Sequence, residues 1–198
     1  MVQREDSKTG ALRGLVSSYY FASSGSDGNA GTSELLPWRT TANLRNVALA
    51  NGDHLIFRQG DVFHLIDTLT IECLCGVVIA SSGSERSTLV ANARTAITVS
   101  DCESIRVERI ALVHEGYKRT TSHGLFISCS NRCSRNIRID SLHITGFGGY
   151  GILALAEGSG VGCRDVSVVN SSADGNVLGG IVFTSTSLIA RSCAFRPR

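Results

Sequence analysis

A short β-prone motif recurs along the sequence at intervals of 28, 28, 27 and 29 residues. Its five copies read TLTI, AITV, GLFI, GILA and GIVF, and they begin at Thr68, Ala96, Gly124, Gly151 and Gly180. A fixed period in this range, carried by short apolar tetrads and not by helical heptads, is typical of a chain wound into a solenoid. This repeat constrains the fold more than any other feature of the sequence.

Each repeat has a second part that is as regular as the first. In residues 105–112 and 137–144 the apolar positions are the first, third, sixth and eighth. This pattern indicates two strands of period two whose phase is reset by one extra residue at a sharp bend. One repeat then holds three short strands, and it becomes stable only when stacked on its neighbours about 4.8 Å away. The sequence predicts an all-β parallel β-helix of about five to six rungs, with about 28 residues per rung.

The residues before the repeats differ from them in pattern. Tyr19-Tyr20-Phe21 predicts an aromatic strand, and the Gly- and Ser-rich stretch that follows predicts a loop. Thr40 or Thr41 is suited to cap a short amphipathic helix that ends at Asn51-Gly52. Such a helix would cover the exposed strand edges of the first rung.

The chain therefore divides into three segments within one domain. Residues 1–18 are predicted to be a disordered tail, residues 19–52 the N-terminal strand, loop and capping helix, and residues 53–198 the β-helix. An apolar content of 42% in 198 residues is enough for a sizeable core.

Charge and hydropathy exclude several classes of partner. The formal net charge is only +2, and no Lys/Arg cluster is denser than Lys118-Arg119, so nucleic acid is not a favoured partner. No apolar run reaches the roughly 18 residues of a membrane span. Met1 to Ser18 is polar and mixed in charge, and it does not resemble a cleaved secretory signal.

The seven cysteines include no CxxC pair, so the sequence predicts no zinc site and no other metal centre. Cys102, Cys133 and Cys163 recur three or four residues before the second strand of successive repeats. A column of small, buried thiols is the favoured interpretation, because unpaired cysteine is among the most buried residue types. A disulfide between adjacent rungs is the alternative, since the rung spacing permits it.

Residues 19–63 carry a pattern that identifies a family. They contain YYF at residues 19–21, GSDxNxGT at residues 25–32, PWRT at residues 37–40 and GDxLIFxxGDxF at residues 52–63. This pattern resembles the N-terminal signature of secreted right-handed parallel β-helix proteins of the pectate-lyase-like superfamily. The resemblance implies a right-handed coil, a polysaccharide partner and an extracellular or periplasmic location.

The chain departs from this family in two respects. Members are usually exported and have many more rungs, whereas this sequence lacks a signal and ends within a rung at Arg198. We therefore expect a truncated β-helix. Its last rung should have no cap, and residues 177–195 are expected to promote self-association.

The longest connection between repeats offers the best candidate site. Residues 114–123 and their counterparts at 145–150 and 174–179 should stack on one side of the coil, where loops on a rigid scaffold carry function. A lyase that acts on an acidic polysaccharide by β-elimination needs a base and a cation that neutralises the carboxylate. Lys118, His123 or Tyr117 is the candidate base, and Arg119 the neutralising cation. The candidate substrate-binding residues are Tyr150, Asp174, Asn176 and Glu115.

Other interpretations of these residues stay open. Ser122-His123-Gly124 is faintly similar to the Gly-His-Gly of polygalacturonase-type hydrolases, and Glu115 with Asp174 is the one carboxylate pair available for hydrolysis. A solvated loop also collects charges without any function. The competing function is therefore a non-catalytic glycan-binding or adhesive module, or an inactive fragment of a larger enzyme.

Two further polar features are expected to be structural. The loop Asp27-Gly28-Asn29-Ala30-Gly31 resembles a calcium loop, but a single carboxylate makes a poor calcium site and an Asx-turn is favoured. Calcium is the one cofactor that the sequence raises. His114 and His143 flank the third strand of their repeats, and the default orientation for both is toward solvent.

Overall fold

The computed structural model describes residues 16–132, 134–156, 162–184, 188–191 and 194–196. Cys133, residues 1–15 and the other positions outside these ranges are not described. The strands are, in chain order, β1 (Ser18–Phe21), β2 (His54–Phe57), β3 (Val62–His64), β4 (Leu69–Glu72), β5 (Val78–Ser81), β6 (Ser87–Asn92), β7 (Ile97–Ser100), β8 (Arg106–Glu108), β9 (Ile110–Glu115), β10 (Leu125–Cys129), β11 (Arg135–Asp140), β12 (His143–Thr145), β13 (Tyr150–Ala156), β14 (Arg164–Val169), β15 (Ser172–Asp174), β16 (Gly179–Phe183), β17 (Leu188–Arg191) and β18 (Ala194–Arg196).

The strands form three parallel sheets, as expected of a parallel β-helix. Sheet A has the order β1-β2-β5-β8-β11-β14-β17, sheet B the order β18-β15-β12-β9-β6-β3, and sheet C the order β16-β13-β10-β7-β4. Successive strands of each sheet come from successive rungs, so each rung contributes one strand to each sheet. The predicted all-β solenoid is confirmed.

The register of sheet C confirms the repeat read from the sequence. Leu125 lies opposite Ile97 on one side and Ile152 on the other, and Ile152 lies opposite Ile181. The other sheets have columns of their own, and in sheet A Ile139 lies opposite Val107. Because inward and outward side chains alternate along each strand, these columns fill the interior of the coil with branched apolar residues.

A single residue in the left-handed region turns each of three rungs from sheet A into sheet B. These residues are Arg109, Ser141 and Asn170, with φ of 55°, 58° and 50°. In each rung this is the extra residue that the sequence predicts at the bend between the second and third strands. Left-handed backbone is costly for residues other than glycine, although asparagine tolerates it well. The cost is offset by hydrogen bonds, since Ser141 and Asn170 both donate to Asp140 Oδ1, at 3.0 and 3.2 Å.

The N-terminal helix is shorter than expected and of a different type. Thr41–Asn46 forms a 3-10 helix, and the Thr40 side chain caps it by accepting a hydrogen bond from the Ala42 N–H. The chain is already extended at Val47, so the helix does not reach Asn51-Gly52. Six residues are too few to sustain an α-helix in isolation, and the β-branched Val47 that follows favours extended backbone.

Aromatic packing closes the first rung instead. Trp38 is buried, its ring stacks on Tyr19 at 5.4 Å, and it contacts Phe21 edge-on at 5.7 Å. The strand β1 pairs in parallel with β2, so the aromatic strand belongs to sheet A itself. The N-terminal segment thus extends the coil and covers its end.

The loop at Asp27 is held together by that carboxylate. Asp27 Oδ1 accepts hydrogen bonds from the N–H groups of Arg39 and Thr40, and Oδ2 accepts one from the Thr40 hydroxyl. The structural role is the one favoured by the sequence, but the partners lie 12 and 13 residues away and do not form a local Asx-turn.

The predicted column of Cys102, Cys133 and Cys163 differs from the observed one at its middle position. Glu103 pairs with Arg135, and Arg135 with Arg164, so Ser134 occupies the position between Cys102 and Cys163. Counting back from the next strand suggested Cys133, which lies outside the described residues. The bends between sheets C and A have unequal lengths, and that inequality displaced the alignment by one residue. Cys102 and Cys163 are both buried, as expected.

Several predictions for the termini are not tested by this structure. The tail of residues 1–15 and the side chains of residues 185–198 lie outside the description, so self-association through the last rung stays a prediction. Within the described part of the chain, no helix is long and apolar enough to cross a membrane.

Shortening a side chain in the stacked column should destabilise the whole coil. Leu125→Ala leaves a cavity between two rungs, and the free energy of unfolding should fall by about 2–5 kcal/mol. Leu35→Ala is the matched control, because Leu35 is 90% exposed. Denaturant unfolding monitored by circular dichroism measures both changes. Equal effects of the two substitutions would contradict the stacked column.

Candidate functional site

Three connections from sheet B to sheet C stack on one another at one corner of the coil. Gly149 N–H donates to the Ser122 carbonyl at 2.8 Å, which joins residues 116–123 to residues 146–150. Leu178 N–H donates to the Gly149 carbonyl at 3.1 Å, which joins residues 146–150 to the next connection. The sequence predicts this stacking. It places the connections of three successive rungs at one corner of the coil.

Two glycines allow these connections to lie so close together. A Cβ atom on Gly148 would lie 2.3 Å from the carbonyl oxygen of Arg119, and one on Gly149 would lie 2.4 Å from Nδ1 of His123. Both distances are shorter than any real carbon contact, so a larger residue at either position must displace the neighbouring loop. The pair Gly148-Gly149 therefore sets the position of residues 119–123.

Three half-buried rings form a group beside this loop, which we call the aromatic platform and define as His123, Phe126 and Tyr150. The rings of His123 and Tyr150 are nearly parallel, with centroids 6.0 Å apart and an angle of 11°. Phe126 lies 5.8 Å from His123 and is tilted by 36°. Phe126 is on the outward face of β10, because its neighbours Leu125 and Ile127 point into the core.

The hydrogen bond at His123 determines which ring nitrogen carries the proton. Its Nδ1 accepts the backbone N–H of Tyr150 at 3.0 Å, so the neutral ring holds its hydrogen on Nε2. Burial lowers the pKa of His123 and favours this neutral form. His123 is therefore arranged as a hydrogen-bond donor through Nε2, whereas a base would need a vacant lone pair.

The cationic part of the site is exposed. Tyr117 is 77% exposed, and Lys118 and Arg119 also face solvent. The backbone beneath them is well held, because the Arg119 carbonyl accepts hydrogen bonds from both the N–H and the hydroxyl of Ser122. The loop thus presents two cations from a fixed backbone next to the aromatic platform.

The structure does not place Asn176 where a substrate would reach it. Asn176 is fully buried, its Oδ1 accepts the Phe147 N–H at 3.0 Å, and its Nδ2 donates to the Ile144 carbonyl at 3.3 Å. This amide links two rungs inside the coil. The expectation that Asn176 binds substrate is corrected accordingly, because both ends of its amide already have backbone partners.

The two candidate carboxylates lie far apart. In sheet B, Asp174 pairs with Thr145 of the preceding rung, and Thr145 pairs with Val113 of the rung before that. Glu115 lies two residues after Val113 on the same strand, so it is two rungs away from Asp174. Strand geometry then separates the two Cα atoms by roughly 12 Å. Inverting hydrolases hold their carboxyl groups about 6.5–9.5 Å apart, and this backbone separation does not by itself set the Glu115 and Asp174 carboxyl groups at that distance. Glu115 instead lies 4.0 Å from Nδ1 of His64.

His114 is buried, although the default expectation placed it in solvent. It follows Ile110 and Leu112 on the inward face of β9, and that alternation was a signal in the sequence. Its ring meets Phe147 edge-on at 5.2 Å, and neither ring nitrogen has a hydrogen-bond partner within the described structure. Burial lowers the pKa of His114, and the nearby Lys118 ammonium lowers it further. His143, by contrast, is half-buried, and its Nδ1 lies 2.7 Å from the Ser172 hydroxyl.

Two concave surfaces lie away from this corner and have no counterpart in the sequence analysis. One, of about 370 Å³, separates the 3-10 helix from strand β4, where Asp67 bridges Arg45 and Arg94. The other, of about 350 Å³, crosses the outer face of sheet A between Tyr20 and Arg106. Each is lined by residues that are far apart in the sequence, so no local motif reveals it.

Comparison with solved structures identifies the fold. The GH136 lacto-N-biosidase from Eubacterium ramulus matches over 83% of this chain with a TM-score of 0.64 and 17% sequence identity. A rhamnogalacturonan lyase matches over 90% of the chain with a TM-score of 0.61 and 15% identity. The chain covers only 36% and 51% of those two proteins. The protein therefore shares the parallel β-helix fold of these two solved structures. No family model and no curated protein matches the sequence.

Gly148→Ala should move the loop that carries the two cations. The new Cβ meets the Arg119 backbone, and we expect unfolding free energy to fall by about 1–3 kcal/mol. Hydrogen exchange of residues 116–123 should also accelerate. Gly28→Ala is the control, since its Cβ would have no neighbour nearer than 3.6 Å and should change stability by less than about 0.5 kcal/mol.

Mild acid should destabilise the protein through His114. The folded state disfavours the charged ring, whereas the unfolded chain takes up a proton near pH 6.5. The stability is therefore unaffected above about pH 6.5 and falls as the pH drops below it. His114→Phe should reduce the fall in Tm between pH 7 and 5, and His64→Phe, at an exposed position, should not. Identical pH profiles for His114→Phe and the parent would exclude this role.

Proposed function

We propose that the protein is a carbohydrate-active β-helix that binds an acidic polysaccharide at the corner formed by residues 116–123 and the aromatic platform. The observation that carries the proposal is the stacked His123–Tyr150 pair, whose His123 belongs to the same loop as the exposed cations Lys118 and Arg119.

The two kinds of side chain suit the two chemical features of an acidic sugar. The apolar face of a pyranose ring packs against aromatic rings, which supply large contact area at little entropic cost. Its carboxylate is matched by the planar guanidinium of Arg119, which donates two parallel hydrogen bonds to such a group. Successive rungs lie about 4.8 Å apart, so the platform extends along the coil and fits an elongated chain.

The finer proposal is cleavage by β-elimination. Lys118 or Tyr117 removes the proton from the carbon beside the carboxylate, and Arg119 stabilises the negative charge that develops there. The bond from the neighbouring carbon to the glycosidic oxygen then breaks, which leaves a double bond in the sugar. The Nε2 hydrogen of His123 is oriented to stabilise the departing oxygen by a hydrogen bond, because its Nδ1 is held by Tyr150. That oxygen takes up a proton from solvent, and the protonated base returns its own proton to solvent.

The structural neighbours support the coarser part of this proposal. One is named a lacto-N-biosidase and the other a rhamnogalacturonan lyase, so both carry names of enzymes that act on carbohydrates. Their identity to this chain is below 25%, and the chain spans about a third to a half of their length. Activity on an acidic polysaccharide and an extracellular or periplasmic location therefore rest on the site and on the family resemblance.

A second candidate is binding without catalysis. The hydrogen bond from the Tyr150 N–H occupies the lone pair that His123 would need as a base, and Lys118 lies in solvent. Solvent exposure does not help a lysine to lose its proton, which burial promotes. A glycan-binding module would use the same platform and cations without forming product.

Removing both cations separates these candidates. Lys118→Ala combined with Arg119→Ala should abolish unsaturated product from polygalacturonate or rhamnogalacturonan, measured by ultraviolet absorbance, because a base and the neutralising charge are lost. The double variant Arg135→Ala, Arg164→Ala removes two exposed cations from sheet A and should leave the activity intact. If the first variant forms product at the parent rate, the active site does not include Lys118 and Arg119. No product from the parent, with binding intact, would favour the binding module.

The aromatic platform has its own test. Tyr150→Ala should weaken binding of acidic oligosaccharides by about 3- to 10-fold in calorimetry, as expected for the loss of one stacking ring. Tyr20→Ala removes a half-buried tyrosine from the outer face of sheet A and should leave affinity unchanged. The reverse order of effects would place the glycan on sheet A.

A further inference from the structure

Two cysteine sulfurs meet inside the coil at the corner between sheets C and A. The Sγ atoms of Cys129 and Cys163 are 2.7 Å apart, and both residues are completely buried. Among the described cysteines they are distinct in this respect. Cys102 is also buried, but its sulfur donates to the carbonyls of Ile71 and Ser100, and Cys73 and Cys75 are exposed.

The path of the chain explains why these sulfurs face each other. Cys129 ends strand β10, and Cys163 directly precedes strand β14 of the next rung. Ser134 holds the position equivalent to Cys163 in its own rung, and its N–H donates to Cys129 Sγ at 3.4 Å. The Cys129 sulfur therefore lies under the corner through which both rungs pass. Cys129 and Cys163 are not register partners, since Cys129 pairs with Ala156, so the sulfurs meet because both side chains enter the same corner. A sulfur–sulfur distance of 2.7 Å needs only a small approach to reach the bond length of about 2.05 Å in disulfides.

We propose that Cys129 and Cys163 form a disulfide that joins two consecutive rungs. A thiolate of one cysteine attacks a low-molecular-weight disulfide such as oxidised glutathione and releases one glutathione thiol. The second cysteine then attacks the mixed disulfide and releases the other glutathione. The two protein thiols lose two protons and two electrons, and one glutathione disulfide becomes two thiols. Because both sulfurs are buried, the exchange takes place before this corner closes during folding.

The bond would act on the candidate site without touching it. It closes a loop of 34 residues, which contains β11, β12 and β13. Tyr150 lies within this loop, whereas His123 and Phe126 lie before it. The disulfide thus fastens the rung that supplies one ring of the aromatic platform to the rung that supplies the other two. It also makes the protein suited to an oxidising compartment, where such bonds persist.

Refolding of the full chain under two redox conditions tests the proposal. One sample refolds with oxidised and reduced glutathione and the other with dithiothreitol, and remaining thiols are alkylated after denaturation. Trypsin cleaves after Arg132, so it separates Cys129 from Cys133. The oxidised sample should contain peptide 120–132 linked to peptide 139–164, with a mass two hydrogens lower than that of the separate peptides. Its Tm should exceed that of the reduced sample by about 5–10 °C.

Variants supply the control. Cys163→Ser should abolish the redox-dependent difference in Tm, and Cys102→Ser, at an equally buried position, should preserve it. Peptide mapping of the parent shows whether Cys129 and Cys163 are linked even where a variant fails to fold. Alkylation of both Cys129 and Cys163 in the oxidised sample, or a link from either one to Cys133 or Cys193, would overturn the proposal. The test requires no glycan, so its outcome is independent of the proposed function.

Discussion

The structure depends on the stacking of one rung on the next. Backbone hydrogen bonds between parallel strands hold the rungs together, and columns such as Ile97–Leu125–Ile152 fill the space between the three sheets. A single rung has only one apolar side and no partner for it, so no rung is stable alone. Every other feature follows from this constraint, because each polar side chain must either face outward or find a partner in the neighbouring rung.

Several polar residues show how the coil meets that requirement. Asn176 places its amide between two backbone groups of the preceding rung, and Ser134 bonds both to the Ser128 carbonyl and to the Cys102 N–H. Asp101 accepts the N–H groups of residues 130–132, which shapes the bend of the next rung and lowers the pKa of that carboxyl. His114 departs from this rule, since neither of its ring nitrogens has a partner in the described structure, and Nε of Arg109 is a second such atom. An unsatisfied buried imidazole costs stability, and here it lies directly beneath the cationic loop.

The candidate site is a consequence of the same stacking. The connections from sheet B to sheet C differ in length, and only the one at residues 116–123 is long enough to carry two cations outward. Gly148 and Gly149 allow it to rest on the next connection, and the Tyr150 N–H orients the His123 ring. A rigid coil therefore presents flexible, charged side chains at a defined place, which is the arrangement that recognition of a long polymer requires.

The sequence by itself determined the three-sheet coil, the columns Ile97–Leu125–Ile152–Ile181 and the corner at which the longest loop lies. Those features follow from alternation along a strand and from a fixed period, and both are local properties that a sequence records directly. The tertiary structure decided the tautomer of His123, the burial of Asn176 and the contact between Cys129 and Cys163. These depend on which atoms of the adjacent rung lie opposite each corner. Because the bends have unequal lengths, that pairing is set by the register of the stacked strands and cannot be counted along the chain.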